Sequence, residues 1–271
     1  MNIFLQDLIK RAGEIALKKN GKLKIDLKGK NDIVTDKDIK IENFLIREIL
    51  KKYPDHSFLA EEETFKNKNL RLDEYKKTKF IWIIDPIDGT QNFACNFPLY
   101  GISIAVFAKS ETTKSKNFNY MSGELLMGAI YIPEFDQLFF AEKGKGAFLN
   151  GKKIRVSNTE KLEESMLSTC LPEAYKKFNV PKLLKAIDKV RSIRLLGAAS
   201  IDLAYMATGF MDGVWIFGAK PWDIAAGVLI VKEAGGEISD SNGNLLDLFG
   251  KDLLATNGKI HKSMIKMLAS A

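Results

Sequence analysis

Cysteine and histidine are nearly missing from this sequence, which closes off much metal and redox chemistry. Cys95 and Cys170 are its only thiols, too few for a disulfide framework or a cysteine-rich zinc site, and both read as structural. His56 and His261 are the only imidazoles. A histidine-based zinc centre is therefore disfavoured, and both residues read as surface or packing positions. No uninterrupted apolar run approaches a membrane span, so no membrane partner is expected. From Met1 to Lys19 the chain carries Asp7, Lys10, Arg11 and Glu14 among its apolar residues. That stretch lacks the uncharged core of a signal peptide, and the expected location is cytoplasmic. Internal repeats, low-complexity tracts and an obvious linker are absent as well. A single domain over 1–271 is expected, made of two tightly packed halves near 1–150 and 151–271.

What is present suits a globular protein. Hydrophobic residues make up 46% and charged residues 28%, enough apolar material for a sizeable core. Lysine and arginine number 41 against 34 aspartates and glutamates, a net charge of +7. Such a balance is compatible with nucleic acid or phosphorylated molecules as partners. The basic residues are scattered, however, and Lys66 to Lys79 interleaves Asp73 and Glu74 with its lysines. A solvated, lysine-rich surface accounts for that pattern better.

Apolar spacing predicts amphipathic helices over 3–18 and 39–53, with a loop or short extended piece from Lys28 to Asp38 between them. Ser57 to Ala60 reads as a short strand delivering Glu61, Glu62 and Glu63 at its tip. Phe80 to Ile84 is a second strand. Gly101 to Ala108, Leu125 to Pro133 and Gln137 to Ala141 continue as an antiparallel meander flanking it, interrupted by a polar excursion at 109–123. Further on, elements are expected over Leu183 to Lys189, Ser192 to Leu196, Ala198 to Thr208, Gly213 to Phe217, Pro221 to Ala234, Glu237 to Ser239, Leu253 to Thr256 and Ile260 to Leu268. Strands and helices mix throughout, so the fold class is α/β.

The chemistry concentrates at Asp85-Pro86-Ile87-Asp88-Gly89-Thr90. Pro86 forces Asp85 towards an extended conformation, so Asp85 should close the strand while Asp88 opens the following turn. Gly89 and Thr90 then fall at a helix start, where free N–H groups and the helix dipole favour an anion. An ordinary turn with Asp88 as a helix cap fits the same residues. Three-residue spacing differs from the Asp-x-Asp-x-Thr pattern of enzymes that form an aspartyl phosphate, which favours a metal-bridging pair. Glu61, Asp85, Asp88 and Asp223 all stand at element ends, and such oxygen donors suit Mg²⁺.

With these residues in view, the sequence resembles the inositol monophosphatase family of Mg²⁺-dependent, lithium-sensitive phosphomonoesterases. Four ordered motifs carry the resemblance across nearly the whole chain. They are Asp32-Ile33-Val34-Thr35 with Asp38; Ala60-Glu61-Glu62; Trp82-Ile83-Ile84-Asp85-Pro86-Ile87-Asp88-Gly89-Thr90; and Pro221-Trp222-Asp223-Ile224-Ala225-Ala226-Gly227 leading to Glu233-Ala234-Gly235-Gly236. The resemblance implies a layered α/β/α/β/α sandwich of the inositol monophosphatase and fructose-1,6-bisphosphatase type, a homodimer, and two or three Mg²⁺ per subunit. It implies hydrolysis of a phosphate monoester by a metal-activated water without a phosphoenzyme. Glu61, Asp85 and the Ile87 carbonyl resemble ligands of a first metal, and Asp85, Asp88 and Asp223 those of a second. Glu61 would also touch a third. Thr90 with Asp38 matches the couple that orients and deprotonates the attacking water, and Gly89 with Thr90 the backbone cradle of the phosphate. Gly197, Ala198 and Ala199 resemble the small residues lining the alcohol side, and a lysine near the metals corresponds to Lys28 or Lys30. Glu62 and Glu63 read as solvated or supporting groups, Trp222 as packing, and the Thr35 hydroxyl either holds Asp38 or caps the next helix.

One departure concerns the substrate. Seven residues before Asp223, many inositol-cleaving relatives place a glutamate that binds ring hydroxyls, whereas this chain has Ile216. Losing that acceptor relaxes or redirects specificity. Inositol phosphate, fructose 1,6-bisphosphate, nucleotide 3′-phosphates such as 3′-phosphoadenosine 5′-phosphate, histidinol phosphate and NADP remain candidates. A regulatory protein that retains the fold but binds RNA or the transcription machinery is the alternative from another class, supported by the +7 charge.

Overall fold

The computed structural model describes residues 1–18, 23–29, 32–66, 78–109, 123–250 and 252–269. Period-two alternation in one long strand shows how its layers are sorted. Strand β4 (Phe80–Asp88) sends Ile81 and Ile83 into one apolar cluster and Trp82 and Ile84 into another, as the pleat requires. It lies second in a seven-stranded sheet of order β3 (Ser57–Ala60), β4, β5 (Gly101–Lys109), β6 (Gly123–Ile132), β7 (Gln137–Glu142), β8 (Gly146–Leu149) and β9 (Lys152–Lys153). Strand β3 runs parallel to β4, and the remaining neighbours are antiparallel. The meander therefore extends the strand of the acidic motif rather than merely flanking it.

Helices α1 (Asn2–Leu17) and α2 (Asp36–Lys52) cover the Trp82 face with Leu5, Leu8, Ile9, Ile41, Leu45 and Ile49. Against the other face pack α6 (Ala199–Ala207) and α7 (Pro221–Glu233). Beyond them lies a second sheet of order β11 (Ser192–Arg194), β10 (Met166–Thr169), β12 (Gly213–Phe217), β14 (Asp252–Thr256) and β13 (Glu237–Ser239). Val214 and Ile216 of β12 join the central cluster, while Trp215 faces α5 (Lys176–Ile187) and α8 (His261–Ala269). The order helix, sheet, helix, sheet, helix is the expected five-layer sandwich.

Local departures have local causes. In the piece from Lys28 to Asp38, expected as a loop or short extended piece, the extended residues belong to a hairpin of β1 (Ile25–Gly29) with β2 (Asp32–Thr35). Helix α2 starts at Asp36 rather than Ile39, because Thr35 and Asp38 form a reciprocal capping box across its first turn. Strand β4 continues to Asp88 rather than ending at Asp85. Pro86 and Ile87 form a bulge, since Asp85 pairs with Ser103 and Asp88 with Gly101, and a bulge tolerates the missing proline N–H. Most of the polar excursion, 110–122, lies outside the described residues, as does Lys30. Both histidines serve packing, His56 half-buried and His261 buried. Trp82 donates its indole N–H to His56 Nδ1 at 2.9 Å, and the imidazole stacks on Tyr53 at 4.7 Å. His261 is buried between the hydroxyls of Thr256 and Ser239, each 2.9 Å away.

Candidate active site

The bulge turns the end of β4 into a platform. Within it the Ile87 N–H is taken by Asp85 Oδ1 at 3.0 Å. Gly89 follows with φ +87° as the cap of α4 (Thr90–Ala94), a conformation that L side chains rarely adopt. A Cβ there would lie 3.1 Å from both Ala198 Cβ and the Leu99 carbonyl oxygen, so only glycine leaves this corner open. Thr90 Oγ1 then reaches the Ile87 carbonyl at 2.9 Å and Asp38 Oδ1 at 3.3 Å. The two halves of the expected water-handling pair thus meet. Asp38 is fully buried, and its Oδ2 accepts both the N–H and the hydroxyl of Thr35. Thr35 therefore holds Asp38 and caps α2 together. Burial pushes the Asp38 carboxyl up to about 6, against the lowering effect of the Thr35 hydrogen bonds.

Glu61 opens α3 (Glu61–Lys66) at the tip of β3, parallel to β4. Lys28 of β1 reaches over it, with Nζ 2.8 Å from Glu61 Oε1 and also on Glu62 Oε1. The Lys28 side chain is only 3% exposed. Burial works against its ammonium, yet the two glutamates outweigh burial and hold its pKa above the ordinary lysine range. Glu62 is itself buried, which raises its carboxyl to about 7.

The second half supplies the remaining groups. Ser200, in the first turn of α6, donates its N–H to Asp88 Oδ2 at 2.6 Å. Asp223 stands in the first turn of α7 and accepts the Lys220 N–H at 2.8 Å. Trp222 packs beside it, as expected, and its carbonyl accepts from Ser103 Oγ at 3.2 Å. Gly197 has φ +78° and lies against Asn92, whose amide donates to the carbonyls of Leu99 and Leu196 at 2.7 and 2.8 Å. Ala199 and Ile216 are 7% and 1% exposed within the central cluster. Ile216, expected on the substrate side, is instead packed in the apolar core, because the alternation of β12 turns it with Val214 towards the central cluster.

Electrostatically these acids form one group. Burial, then the charges of Glu61, Asp88, Asp223 and Asp38, drive Asp85 well above the usual carboxylate range. Burial raises Asp88 to about 6 despite its hydrogen bonds at Ser200 and Ala199. Asp223 is raised by burial and by Asp88. Like charges crowded in a low-dielectric corner call for a cation, and an all-oxygen donor set joined by the Ile87 carbonyl fits a hard divalent ion such as Mg²⁺. The acids do not, however, close into one metal-sized cluster. Among the described residues no three His, Cys, Asp or Glu side chains form a ready cage. Each takes a partner of its own instead: Glu61 the Lys28 ammonium, Asp88 the Ser200 N–H and Asp223 the Lys220 N–H.

Among the buried acids that escaped the sequence reading are Glu42 and Asp202. Glu42, on α2, accepts the N–H groups of Glu62 and Glu63 at 2.8 and 2.7 Å, and burial raises it to about 7. Its signal was a glutamate four residues after Asp38 on an otherwise apolar helix face. Asp202, on α6, accepts from the Ser168 hydroxyl and from Cys170 Sγ, the latter at 3.2 Å. Burial pushes Asp202 up to about 8 and the Cys170 thiol up as well.

Comparison with known proteins bears on the chain as a whole. The model of the inositol monophosphatase family matches residues 1–271. A Thermotoga maritima protein named fructose-1,6-bisphosphatase/inositol-1-monophosphatase is 36% identical, covering 89% of this chain and 84% of its own. A Neisseria meningitidis protein named putative Nus factor SuhB is 37% identical over 100% of this chain and 99% of its own. Among solved structures, the Thermotoga maritima IMPase superposes with a TM-score of 0.84 at 34% identity, covering 99% of this chain and 96% of that one.

Proposed function

The chain belongs to the inositol monophosphatase family, and from that premise we propose that it hydrolyses a small phosphate monoester with Mg²⁺, using the acids gathered at the end of β4. The observation that carries this reading is the Thr90 hydroxyl held between the Ile87 carbonyl and Asp38, beside Asp85 and Asp88. Glu61, Asp85, Asp88, Asp223 and the Ile87 carbonyl would hold two or three Mg²⁺. Bound there, the ions supply charge neutralisation at the phosphate and acidify water. Gly89 and Thr90 offer backbone N–H groups to the phosphate from a corner kept open by the missing Cβ. Thr90 donates to Asp38 and keeps lone pairs that orient a water. As that water attacks, Thr90 Oγ1 would take its proton while passing its own to Asp38, whose carboxyl, raised to about 6, is ionised near neutral pH and can accept it.

Ile216 argues against a polyol-specific pocket. The position offers the leaving alcohol no charged hydroxyl acceptor, so selectivity between a sugar and a nucleoside rests on other groups or on shape. Rates measured side by side on inositol phosphate, fructose 1,6-bisphosphate, 3′-phosphoadenosine 5′-phosphate and NADP identify the class. No turnover of any ester with Mg²⁺, or full activity in Asp88→Asn, sinks the reading. A cytoplasmic location and a homodimer belong to the same proposal. Exposed Phe178, Leu184 and Ile187 on α5 support a subunit contact, which light scattering checks.

A second reading rests on the relative named putative Nus factor SuhB and the +7 charge: binding to RNA or the transcription machinery. Capture of either at physiological salt by an Asp85→Asn variant supports it. Loss of all binding at that salt removes it.

A further inference from the structure

Helix α3 carries Glu61 but has no cap of its own. The residue before it is Ala60, 1% exposed, whose methyl cannot accept the free N–H groups that open every helix. Those of Glu62 and Glu63 are taken instead from another element, the two carboxylate oxygens of Glu42 dividing them at 2.8 and 2.7 Å. Glu42 is 4% exposed. Burying a carboxylate is costly unless its oxygens are satisfied, and a Leu would fill the same space at no such cost. Both oxygens face backbone N–H groups, so Glu42 works through the turn it grips.

Its place on α2 adds a second fact. Asp38, the residue that meets Thr90 Oγ1, lies four residues earlier, one turn up the same helix face and about 6 Å along the axis. One rigid helix therefore grips the Thr90 end of the site through Asp38 and the Glu61 end through Glu42.

We infer that Glu42 is a positioning residue: it fixes the first turn of α3, so that α2 sets the distance of the Glu61 carboxylate from Asp85 and Thr90. The inference rests on the Mg²⁺-dependent reading above and deepens it. Replacing a partner that orients a metal ligand typically weakens metal affinity by about 10–100-fold. Glu42→Ala removes both acceptors. Glu42→Gln keeps one oxygen but sets its NH₂ against the other N–H, so it should fall between Ala and wild type.

The test titrates the full-length, metal-stripped chain with MgCl₂ in a calorimeter, without substrate, and follows amide hydrogen exchange at Glu62 and Glu63. Glu42→Ala is expected to lose protection at both amides and to bind Mg²⁺ about tenfold or more weakly. Asp212→Asn is the control. Asp212 is another buried acid, holding the Met166 N–H at 2.6 Å and Ser157 Oγ at 2.5 Å, and its loss should leave Mg²⁺ affinity unchanged. A folded Glu42→Ala chain that loses amide protection yet binds Mg²⁺ like wild type overturns the positioning role and leaves the phosphatase reading standing. If Glu42→Ala does not fold, wild-type affinity in Glu42→Gln overturns it equally. A wild-type chain that takes up no Mg²⁺ overturns both.

Discussion

Thr90 has two acceptors for one proton, the Ile87 carbonyl at 2.9 Å and Asp38 at 3.3 Å. Thr90→Val keeps the shape and removes the hydroxyl, so kcat should fall by about 10²–10⁴-fold, the usual worth of proton handling. Mg²⁺ affinity should not change, and Thr90→Ser should recover most of the rate. Steady-state kinetics beside calorimetry separate these effects. Asp202 predicts a pH dependence away from the proposed metal ligands. Its folded value of about 8 lies above the ordinary 3.8, so between those values the folded chain holds a proton that the unfolded chain has released. The contribution is complete below about pH 4 and is lost as pH rises through 8. Denaturant titrations at pH 6 and 9 should show stability falling with pH, and Asp202→Asn should flatten that slope. Asp85, Asp88, Thr90 and Glu61 were legible in the sequence because they break an apolar pattern at element ends. Glu42 and Asp202 were hidden because each sits among buried helix residues, where spacing reports packing and leaves hydrogen-bond partners unspecified.

Most elements were legible for the same reason. Apolar spacing located α1, the body of α2, the strands of the meander and α7. It missed the β1–β2 hairpin, whose exposed residues carry no apolar alternation, and it began α2 late because a capping box is a geometric feature of Thr35 and Asp38. Over helix α5 only an element of unassigned type from Leu183 to Lys189 was read, since Pro181 lies inside the helix and its surface leaves Phe178 and Val180 exposed. Packing between elements was invisible at Gly227. In isolation, Ala would improve helix α7 by about 0.8–1 kcal/mol. Here a Cβ would stand 2.5 Å from Leu203 Cδ1 and 2.6 Å from Leu203 Cβ on α6. Overpacking of about 1–3 kcal/mol outweighs the propensity gain, so Gly227→Ala should lower Tm. It should also impair Mg²⁺ binding, because the first turns of α6 and α7 hold Asp88 and carry Asp223.

The largest apolar cluster draws on Leu59 to Ala147 and on Ala198 to Ala255, so the two halves share one core, and the candidate acids come from both. Asp38, Glu61, Asp85 and Asp88 come from one side, Asp223 and the Ser200 N–H from the other. A cation bound by these acids stabilises the folded chain against the unfolded one, which lacks the arrangement. At a Mg²⁺ concentration 100 times its Kd the gain is about 2.7 kcal/mol, a rise in Tm of roughly 5–10 °C for a chain of this size. Asp85→Asn should abolish the rise, although removing one of several repelling buried carboxylates should make the metal-free chain more stable than wild type. The two effects oppose each other, so the melting curves should cross: Asp85→Asn melts higher in EDTA and lower in saturating Mg²⁺. A mutation that merely damaged packing would lower Tm in both buffers, and that outcome would remove Asp85 from the metal site.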